Sequence, residues 1–431
     1  MKVQQAASKA GSLPKTFCDQ GAEQFKKLAD RADVSYDYFM RTSDAKHVQA
    51  VQYAWHVLRK KNLIYTSKHE GWYAVSDETF YPESQVHLVI NPSTGRKHMA
   101  SMETGKEVEW TSEPNYHFRL SAFRERLLEF YKQNPKWIDP PNRMNQVVQE
   151  VTDGLDDLSV SRPLERLSWG VPVPDDSTQT MYVWLDALLN YTTAAGYPWS
   201  PENAHVGGWP ADCQVIGKDI LRFHTIYWPA FLFALELPLP GKVISHAHWT
   251  LGKQKMSKSV GNVVNPFFAL DRFGSDVLRF FLAYDGRMAD DSDYDNLRIV
   301  ERYKKHLQGG LGNLTSRITR SAGWNLQSIV KEAHHRAQTG IPYPDEDDRR
   351  QWQMLTDACE KIEEQMANYD LPGGLQSIMQ IVAEVGFACL RSTSVSLLTP
   401  PYRSTAIYSS QLPGISYQRL RQTESILGYQ Q

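Results

Sequence analysis

Apolar residues recur at helical spacing at the start of the chain. One series runs from Phe17 to Leu28 and a second from Val48 to Leu58, which predicts helices in this part of the sequence. The pattern changes at residues 65–115, where aromatic and β-branched residues alternate with polar ones. This alternation predicts a small β-rich module between helical segments.

Helical patterns return after this module and are interrupted by short apolar runs. The runs MYVWL at residues 181–185 and QVIG at residues 214–217 predict buried strands, each leading into a helix. A further strand is predicted at residues 242–246. Strand followed by helix is the unit of a doubly wound α/β sheet, which binds its ligands at the carboxyl ends of the strands. The sequence therefore predicts an α/β fold.

Strand signals stop beyond about residue 295, and helical patterning continues to Glu384. From Val385 to the end, Glu424 is the only acidic residue, and Ser, Thr and Pro dominate. We expect this last part to be poorly packed. Four aliphatic residues share one face of the first predicted helix in this region: Leu307, Leu311, Leu314 and Ile318.

The composition excludes a few classes of protein. Of the 431 residues, 41% are hydrophobic and 22% charged, as in a globular protein of several domains. The net charge of −2 does not argue against nucleic acid, because a large ligand is bound through local patches. No apolar run reaches about 18 residues, so no membrane span is predicted. The four cysteines form no CxxC pair, so neither a disulfide framework nor a zinc site is expected.

The sharpest chemical signal is the pentapeptide KMSKS at residues 255–259. Its lysines, Lys255 and Lys258, are compact cations on a loop that can close on a triphosphate. They can follow negative charge as it moves from the α- to the β-phosphate in a transition state. A solvated loop with incidental lysines is the alternative for an isolated KxxK pair. The lead-in HWxxGxxK, which starts at His248 after a predicted strand, favours the phosphate interpretation.

KMSKS is the second signature motif of class I aminoacyl-tRNA synthetases, and the chain up to Glu384 resembles the methionine-specific branch of that family. Leucine-, isoleucine-, valine- or cysteine-specific relatives share KMSKS but not the other blocks that carry the resemblance. Those blocks, in the order of the family, are EGWYAVSDETFY (70–81), SVSRPLERLSWGVPVP (159–174), YVWLDALLNY (182–191), IGKDILRFHTIYWPAF (216–231) and GNLTSR (312–317).

The resemblance implies an incomplete Rossmann-like class I catalytic domain with a β-rich connective insertion, followed by an α-helical anticodon-binding domain. The implied division is a remnant of the first half of the catalytic domain at 1–64, the insertion at 65–125, the second half of the catalytic domain at 126–240, the KMSKS-loop and stem-contact region at 241–297, the anticodon-binding domain at 298–384 and an atypical, poorly ordered tail at 385–431.

The resemblance also implies roles for single residues. An aromatic slot suits a polarizable thioether, although ordinary core packing is the alternative for these aromatic residues. The residues implied to line the methionine pocket are Trp184, Ala187, Tyr191, Ile220, Phe223, His224 and Tyr227. Those implied to bind ATP are Gly217, Asp219, His248, Lys255, Met256, Ser257, Lys258 and Ser259, with Lys255 and Lys258 catalytic. Asn313 and Arg317, four residues apart, are implied to read the anticodon.

The chain departs from the family in three places. It contains no HIGH-like motif, and residues 2–7 resemble the family sequence that follows the first blocks, so we expect an N-terminal truncation. No tryptophan follows Trp352, although the family stacks a late tryptophan on the anticodon. Residues 65–125 contain no cysteine, so the zinc knuckle of the family is expected to be absent. That metal-free form resembles the mitochondrial enzymes of fungi and animals.

The implied activity is activation of L-methionine with ATP and Mg²⁺, followed by transfer to tRNA(Met). The expected enzyme is a monomer of the mitochondrial matrix without membrane contact, and the cytoplasm is the alternative compartment. Two other functions stay open. One is a catalytically impaired tRNA-binding fragment, because the HIGH motif is absent. The other is a different class I aminoacyl-tRNA synthetase.

Overall fold

The computed structural model divides the chain into two compact units. The first is Met1–Asp30, Val34–His248 and Met288–Asp290, and the second is Arg31–Asp33, Trp249–Arg287 and Asp291–Gln431. The residues that the structure describes are 2–74, 79–81, 83–90, 95–102, 104–199, 207–257, 261–320, 325–339 and 346–394. Among these residues, no helix combines the length and the apolar character needed to cross a bilayer. The finer division into six segments stays a prediction.

The described residues form three helices, then a run of five strands, then a mixed α/β segment and a mainly helical last part. The α-helices are α1 (Lys2–Lys9), α2 (Pro14–Arg31), α3 (Ala45–Lys60), α4 (Arg124–Gln133), α5 (Pro141–Asp153), α6 (Val183–Leu188), α7 (Asn190–Ala194), α8 (Trp228–Leu235), α9 (Pro266–Phe273), α10 (Ser275–Asp285), α11 (Asn296–Arg302), α12 (Asn313–Thr319), α13 (Leu326–Thr339), α14 (Glu346–Ala367) and α15 (Leu371–Ser394). The strands are β1 (Ile64–Ala74), β2 (Thr79–Tyr81), β3 (Val86–Ile90), β4 (Lys97–Ser101), β5 (Glu107–Phe118), β6 (Ile138–Asp139), β7 (Leu158–Ser159), β8 (Ser161–Pro163), β9 (Gln179–Met181), β10 (Gln214–Gly217), β11 (Val243–His246), β12 (Trp249–Leu251), β13 (Gln254–Lys255) and β14 (Ser292–Asp293). Two segments are π-helical, Phe223–Tyr227 and Tyr303–Gly312.

A parallel sheet in the order β10-β11-β6 lies in the first unit. Gln214 pairs with Val243, and Val243 pairs in turn with Ile138. The strand predicted at 214–217 is confirmed, and the strand predicted at 242–246 begins one residue later, at Val243. The strand β6 was not predicted because two residues are too short for a periodic signal.

The predicted β-rich module is confirmed as an antiparallel sheet in the order β2-β1-β5-β4-β3, with β7 added on β5. Strands β1 and β5 pair from Ile64 opposite Phe118 to Tyr73 opposite Glu109. Ile64 and Phe118 are both buried, so this end of the sheet packs into the core of the first unit.

The strand predicted at residues 181–185 is wrong. β9 ends at Met181 and Tyr182 is extended, but α6 begins at Val183. Leu185 and Leu188 are buried three residues apart, which is helical spacing. A short apolar run fits a buried strand or a buried helix equally well, and here the burial of residues on one helical face favours the helix.

The helix α8 is apolar on nearly every side and packs in the centre of the first unit. Pro229 lies in its first turn and has no N–H to donate to the carbonyl of Thr225, four residues earlier. The buried hydroxyl of Tyr131 donates to that carbonyl instead. The backbone before Pro229 is π-helical from Phe223 to Tyr227, so the turn that precedes α8 is wider than an α-helical turn.

In the second unit, a small sheet in the order β13-β12-β14 precedes a group of helices. Leu311, predicted to share a face with Leu307, is 45% exposed. The π-helical segment Tyr303–Gly312 explains this, because it takes more residues per turn than the α-helix assumed in the prediction. The helix α15 extends to Ser394, beyond the predicted end of the helical pattern at Glu384. The rest of the predicted tail, from residue 395, lies outside the described residues.

The helix α3 provides a direct test of the core of the first unit. Leu58 is fully buried at its end, whereas Leu13, before α2, is 74% exposed. We expect Leu58→Ala to lower the free energy of unfolding by about 2–5 kcal/mol, because the cavity adds to the lost transfer free energy. Leu13→Ala is the control and should cost less than about 0.5 kcal/mol. Urea unfolding followed by tryptophan fluorescence measures both, and equal effects would contradict this description of the core.

Candidate functional site

The residues predicted to line an amino-acid pocket converge in the first unit. Trp184 on α6 stacks on Phe223 of the π-helical segment, with ring centroids 3.3 Å apart and planes 11° apart. Ala187 lies one turn after Trp184 on α6 and therefore on the same face. Tyr227 packs edge-on against Phe223, with centroids 5.4 Å apart. The aromatic rings therefore form one continuous apolar wall.

Tyr191 and His224 supply the polar part of this wall. The Tyr191 hydroxyl lies 2.8 Å from Nε2 of His224, and the Nδ1 atom of His224 lies 3.0 Å from the carbonyl oxygen of Ile220. Because a carbonyl only accepts, Nδ1 carries the proton and Nε2 of the neutral ring accepts from the Tyr191 hydroxyl. Both hydrogen bonds therefore run in a fixed direction.

Burial keeps both groups of this pair neutral. It lowers the pKa of His224, against a smaller opposing effect of the hydrogen bond to Ile220. Burial also raises the pKa of Tyr191. The Tyr191 hydroxyl donates its proton to His224. The lone pairs of its oxygen can therefore face a weak donor or a polarizable group. The slot can thus hold an apolar, polarizable side chain beside one oriented hydroxyl.

Three of the residues predicted to bind ATP lie together at the carboxyl end of the parallel sheet. Gly217 ends β10, Asp219 follows it, and the His248 Nε2 atom lies 3.3 Å from the Asp219 Oδ1 atom. A Cβ on Gly217 would lie 2.6 Å from the same Oδ1 atom, so any side chain there would displace the carboxylate. Carboxyl ends of parallel strands are where α/β sheets bind ligands. The exposed Asp219 carboxylate can accept from two neighbouring hydroxyl groups.

Lys255, the first residue of KMSKS, lies in the second unit at the end of a hairpin formed by β12 and β13. Gly252 and Lys253 at its turn both have positive φ, as a two-residue hairpin turn requires. The Asp293 carboxylate accepts from the Thr250 hydroxyl at 2.6 Å and from the Lys253 backbone N–H at 2.8 Å. These two hydrogen bonds hold the hairpin that presents Lys255.

Asn262 connects the two ends of the loop that follows the hairpin. Its side-chain oxygen accepts from the backbone N–H of Ser257 at 2.8 Å, and its nitrogen donates to the carbonyl of Lys255 at 3.1 Å. Lys255 is exposed, whereas Met256 and Ser257 are half-buried. Lys258 and Ser259 lie outside the described residues, so their predicted roles stay predictions.

Asn313 and Arg317 line a groove of about 500 Å³ within the second unit. They lie four residues apart on α12, and Arg317 donates to the carbonyl of Gly386 on α15 at 3.2 Å. Burial, with Lys305 and Arg302, lowers the pKa of His306, whose ring is tilted by 39° against that of Tyr284 with centroids 4.7 Å apart. The groove thus combines hydrogen-bonding groups with aromatic faces. Its other lining residues include Gln376, Met379 and Gln380.

Two sets of residues support the pocket although sequence reasoning did not single them out. The guanidinium of Arg162, 2% exposed, lies 3.9 Å from the ring centroid of Tyr182, the residue that precedes α6. The ring of His47, which is fully buried on α3, contacts Asp186 on α6. Asp186 and Tyr182 lie inside the block YVWLDALLNY, but their burial depends on distant partners that a sequence pattern does not reveal.

No group of three or more His, Cys, Asp or Glu side chains converges on one point within the described ranges. A Mg²⁺ ion bound at a nucleotide site needs few protein ligands, because substrate phosphates and water complete its octahedron. The single carboxylate of Asp219 is compatible with such a site.

Comparisons with known proteins show which family the chain is similar to. The model of the family described as tRNA synthetases class I (M) matches residues 1–319. The chain is 58% identical over 331 residues to the probable mitochondrial methionine–tRNA ligase of Neurospora crassa, covering 77% of this chain and 53% of that protein. It is 48% identical over 336 residues to the one of Schizosaccharomyces pombe, covering 78% and 62%. The chain thus spans about half to three fifths of the length of these relatives.

A solved structure is similar over most of the chain. The crystal structure of Mycobacterium tuberculosis methionyl-tRNA synthetase bound by methionyl-adenylate superposes with a TM-score of 0.81 at 35% identity. The match covers 92% of this chain and 75% of that one.

The neutral state of His224 predicts a pH dependence of stability. Because burial lowers the pKa of His224 below about 6.5, the unfolded chain binds more protons at this position than the folded one. Stability should therefore fall as the pH drops below about 6.5, with a slope of at most about 1.4 kcal/mol per pH unit from this group.

The variant His224→Gln removes the titrating ring and should reduce this slope. Midpoints of urea unfolding at several pH values between about 5.5 and 7.5, compared between wild type and variant, measure the difference. A variant with the same slope as the wild type would show that His224 does not carry it.

Proposed function

The chain belongs to the class I tRNA synthetase family, in its M group, and from this premise we propose that it acts as a methionine–tRNA ligase. In the first step a carboxylate oxygen of L-methionine attacks the α-phosphorus of ATP. The bond from that phosphorus to the bridging oxygen breaks, and pyrophosphate leaves. In the second step a hydroxyl of the terminal adenosine of tRNA(Met) attacks the carbonyl carbon of methionyl-AMP, its proton is lost, and AMP leaves.

The observation that carries this proposal is the pocket built by Trp184, Phe223, Tyr191 and His224. Its stacked aromatic wall, with centroids 3.3 Å apart, favours a flexible, polarizable side chain over a charged one. The polarizable thioether of methionine would make favourable sulfur–ring contacts with this wall. A leucine or isoleucine side chain has no sulfur and would lack these contacts.

The residues proposed for ATP would act by position and charge. Gly217 leaves room for the ribose to approach the backbone, and Asp219, oriented by His248, would accept from the two ribose hydroxyls. Lys255 and Lys258 would stabilise the negative charge that grows on the leaving pyrophosphate. Mg²⁺, when bound with ATP, would neutralise phosphate charge. No covalent enzyme intermediate is needed.

The groove of the second unit supports a role in tRNA binding. Asn313 and Arg317 would donate to the edges of unstacked anticodon bases. The relatives of Neurospora crassa and Schizosaccharomyces pombe are named as mitochondrial, which supports a mitochondrial location. Within the mitochondrion we propose the matrix. A monomer is sufficient, because each proposed set of residues lies within one chain.

A second candidate function is tRNA binding without aminoacylation. It is favoured by the groove, since Asn313 and Arg317 lie within the second unit and do not depend on the pocket of the first. Methionine-dependent exchange of pyrophosphate into ATP distinguishes the two. Exchange with methionine but not with leucine or isoleucine supports the ligase, and tRNA binding without any exchange supports the second candidate.

The variant Lys258→Ala tests the proposed catalytic lysine. It should lower the exchange rate by about 100-fold or more, because one fixed positive charge is lost at the leaving group. Lys253→Asn is the matched control, since it removes a lysine from the hairpin turn that precedes the motif, at a position where asparagine tolerates the positive φ. An equal loss in both variants, or no loss in Lys258→Ala, would count against the role of Lys258.

The variant Arg317→Ala tests the proposed reading of the anticodon. It should weaken binding of tRNA(Met) by about 10-fold or more and reduce discrimination against a changed anticodon. Arg320→Ala is the control, because Arg320 is exposed and lies one turn later. It should weaken the binding of every tRNA slightly and to the same extent. Fluorescence anisotropy with labelled tRNAs measures both effects. If Arg317→Ala still discriminates tRNA(Met) from a tRNA with a changed anticodon as well as the wild type does, Arg317 does not determine specificity.

A further inference from the structure

His47 is a fully buried histidine on the first turn of α3, and both of its ring nitrogens have polar partners. Its Nε2 atom lies 2.7 Å from Oδ1 of Asp186, and its Nδ1 atom lies 3.1 Å from Oγ1 of Thr193. Asp186 is on α6 and Thr193 is on α7, so one imidazole connects α3 to two other helices.

We propose that His47 is a positioning residue for the amino-acid pocket. Asp186 follows Trp184 by two residues on α6, and Thr193 follows Tyr191 by two residues on α7. Residues two apart lie about 200° apart around a helix axis. His47 therefore holds the back of both helices, while Trp184 and Tyr191 point from their opposite faces. This inference rests on the proposed function only for the identity of the ligand.

The two helices need such an external tie. α6 has six residues and α7 has five, and isolated helices of this length have almost no stability of their own. A small rotation of α6 would separate Trp184 from Phe223, and a rotation of α7 would lengthen the 2.8 Å contact of Tyr191 with His224. The directional hydrogen bonds of His47 oppose both rotations.

A carboxylate, a histidine and a hydroxyl in a row also resemble the arrangement that activates a nucleophile. Burial excludes this role here, because His47 is fully buried and Thr193 only 9% exposed, so no substrate can reach the hydroxyl. The Thr193 hydroxyl also lies 2.9 Å from the carbonyl oxygen of Leu189, within its own helix. The network therefore acts on the position of the helices.

The test compares His47→Ala with His56→Ala, which removes an exposed histidine from the same helix. In pyrophosphate exchange, His47→Ala should raise the KM for methionine by about 10-fold or more and change the KM for ATP less than about twofold, because only the amino-acid pocket is displaced. His47→Gln should recover most of the loss, since its amide can still donate to Asp186. His56→Ala should change neither KM.

Amide hydrogen exchange in the absence of substrates provides a second measurement that does not depend on activity. In His47→Ala, exchange should become faster in α6 and α7 but not in α8 or the parallel sheet. If the wild type shows no methionine-dependent reaction, the proposed function fails, and this measurement alone decides the role of His47. Unchanged exchange in α6 and α7 overturns the proposal. So does faster exchange throughout the first unit together with equal increases in both KM values, which would indicate a general structural role.

If His47→Ala does not fold, Asp186→Asn replaces it. This variant keeps the size of the side chain and weakens the bond to Nε2. It should also raise the KM for methionine, by a smaller factor than His47→Ala does. In the double variant Asp186→Asn with His47→Gln, the increase of the KM for methionine should be smaller than the product of the two single increases. Both substitutions act on one contact, so their effects are not independent. An effect of Asp186→Asn on the KM for ATP alone would overturn the proposal.

Discussion

The absent N–H of Pro229 is a local constraint next to the aromatic wall. The carbonyl of Thr225 cannot accept the hydrogen bond that residue 229 would donate in an α-helix, and the Tyr131 hydroxyl from α4 donates to that carbonyl. The backbone before the proline is π-helical and carries both Phe223 and His224. An α-helix over the same residues would present these two side chains at different angles. The aromatic wall thus lies on a helical segment whose turn is locally widened just before a proline.

Burial then decides the chemistry of that wall. The His224 ring lies beside the Ile220 carbonyl, and burial keeps the ring neutral by lowering its pKa. A neutral ring with its proton on Nδ1 can only accept at Nε2, so the Tyr191 hydroxyl has a fixed orientation. A charged histidine would turn that hydroxyl around and offer a cation to the ligand. The polarity of this wall thus depends on desolvation as well as on shape.

Short elements are held by side chains from elsewhere throughout both units. The hairpin that presents Lys255 is held by the carboxylate of Asp293, and the following loop by the amide of Asn262. Hydrogen bonding to Thr250 and to the backbone of Lys253 lowers the pKa of Asp293, as expected of a carboxylate that accepts in the folded state. On α6 and α7, His47 has the corresponding role. In each case few residues form the element, so tertiary contacts supply what local propensity cannot.

The sequence by itself determined the α/β class, the β-rich module, the strands at 214–217 and 242–246 and the family, because each depends on local periodicity or on contiguous motifs. It also indicated Trp184, Tyr191, Phe223 and His224, which the structure brings together. Only the tertiary structure decided that residues 183–188 are helical, since a short apolar run is ambiguous without knowledge of its neighbours. It alone revealed the role of His47, whose partners lie 139 and 146 residues away. A lone histidine in a helix has no periodic signal, and its function arises only when folding removes it from water and places a carboxylate beside it.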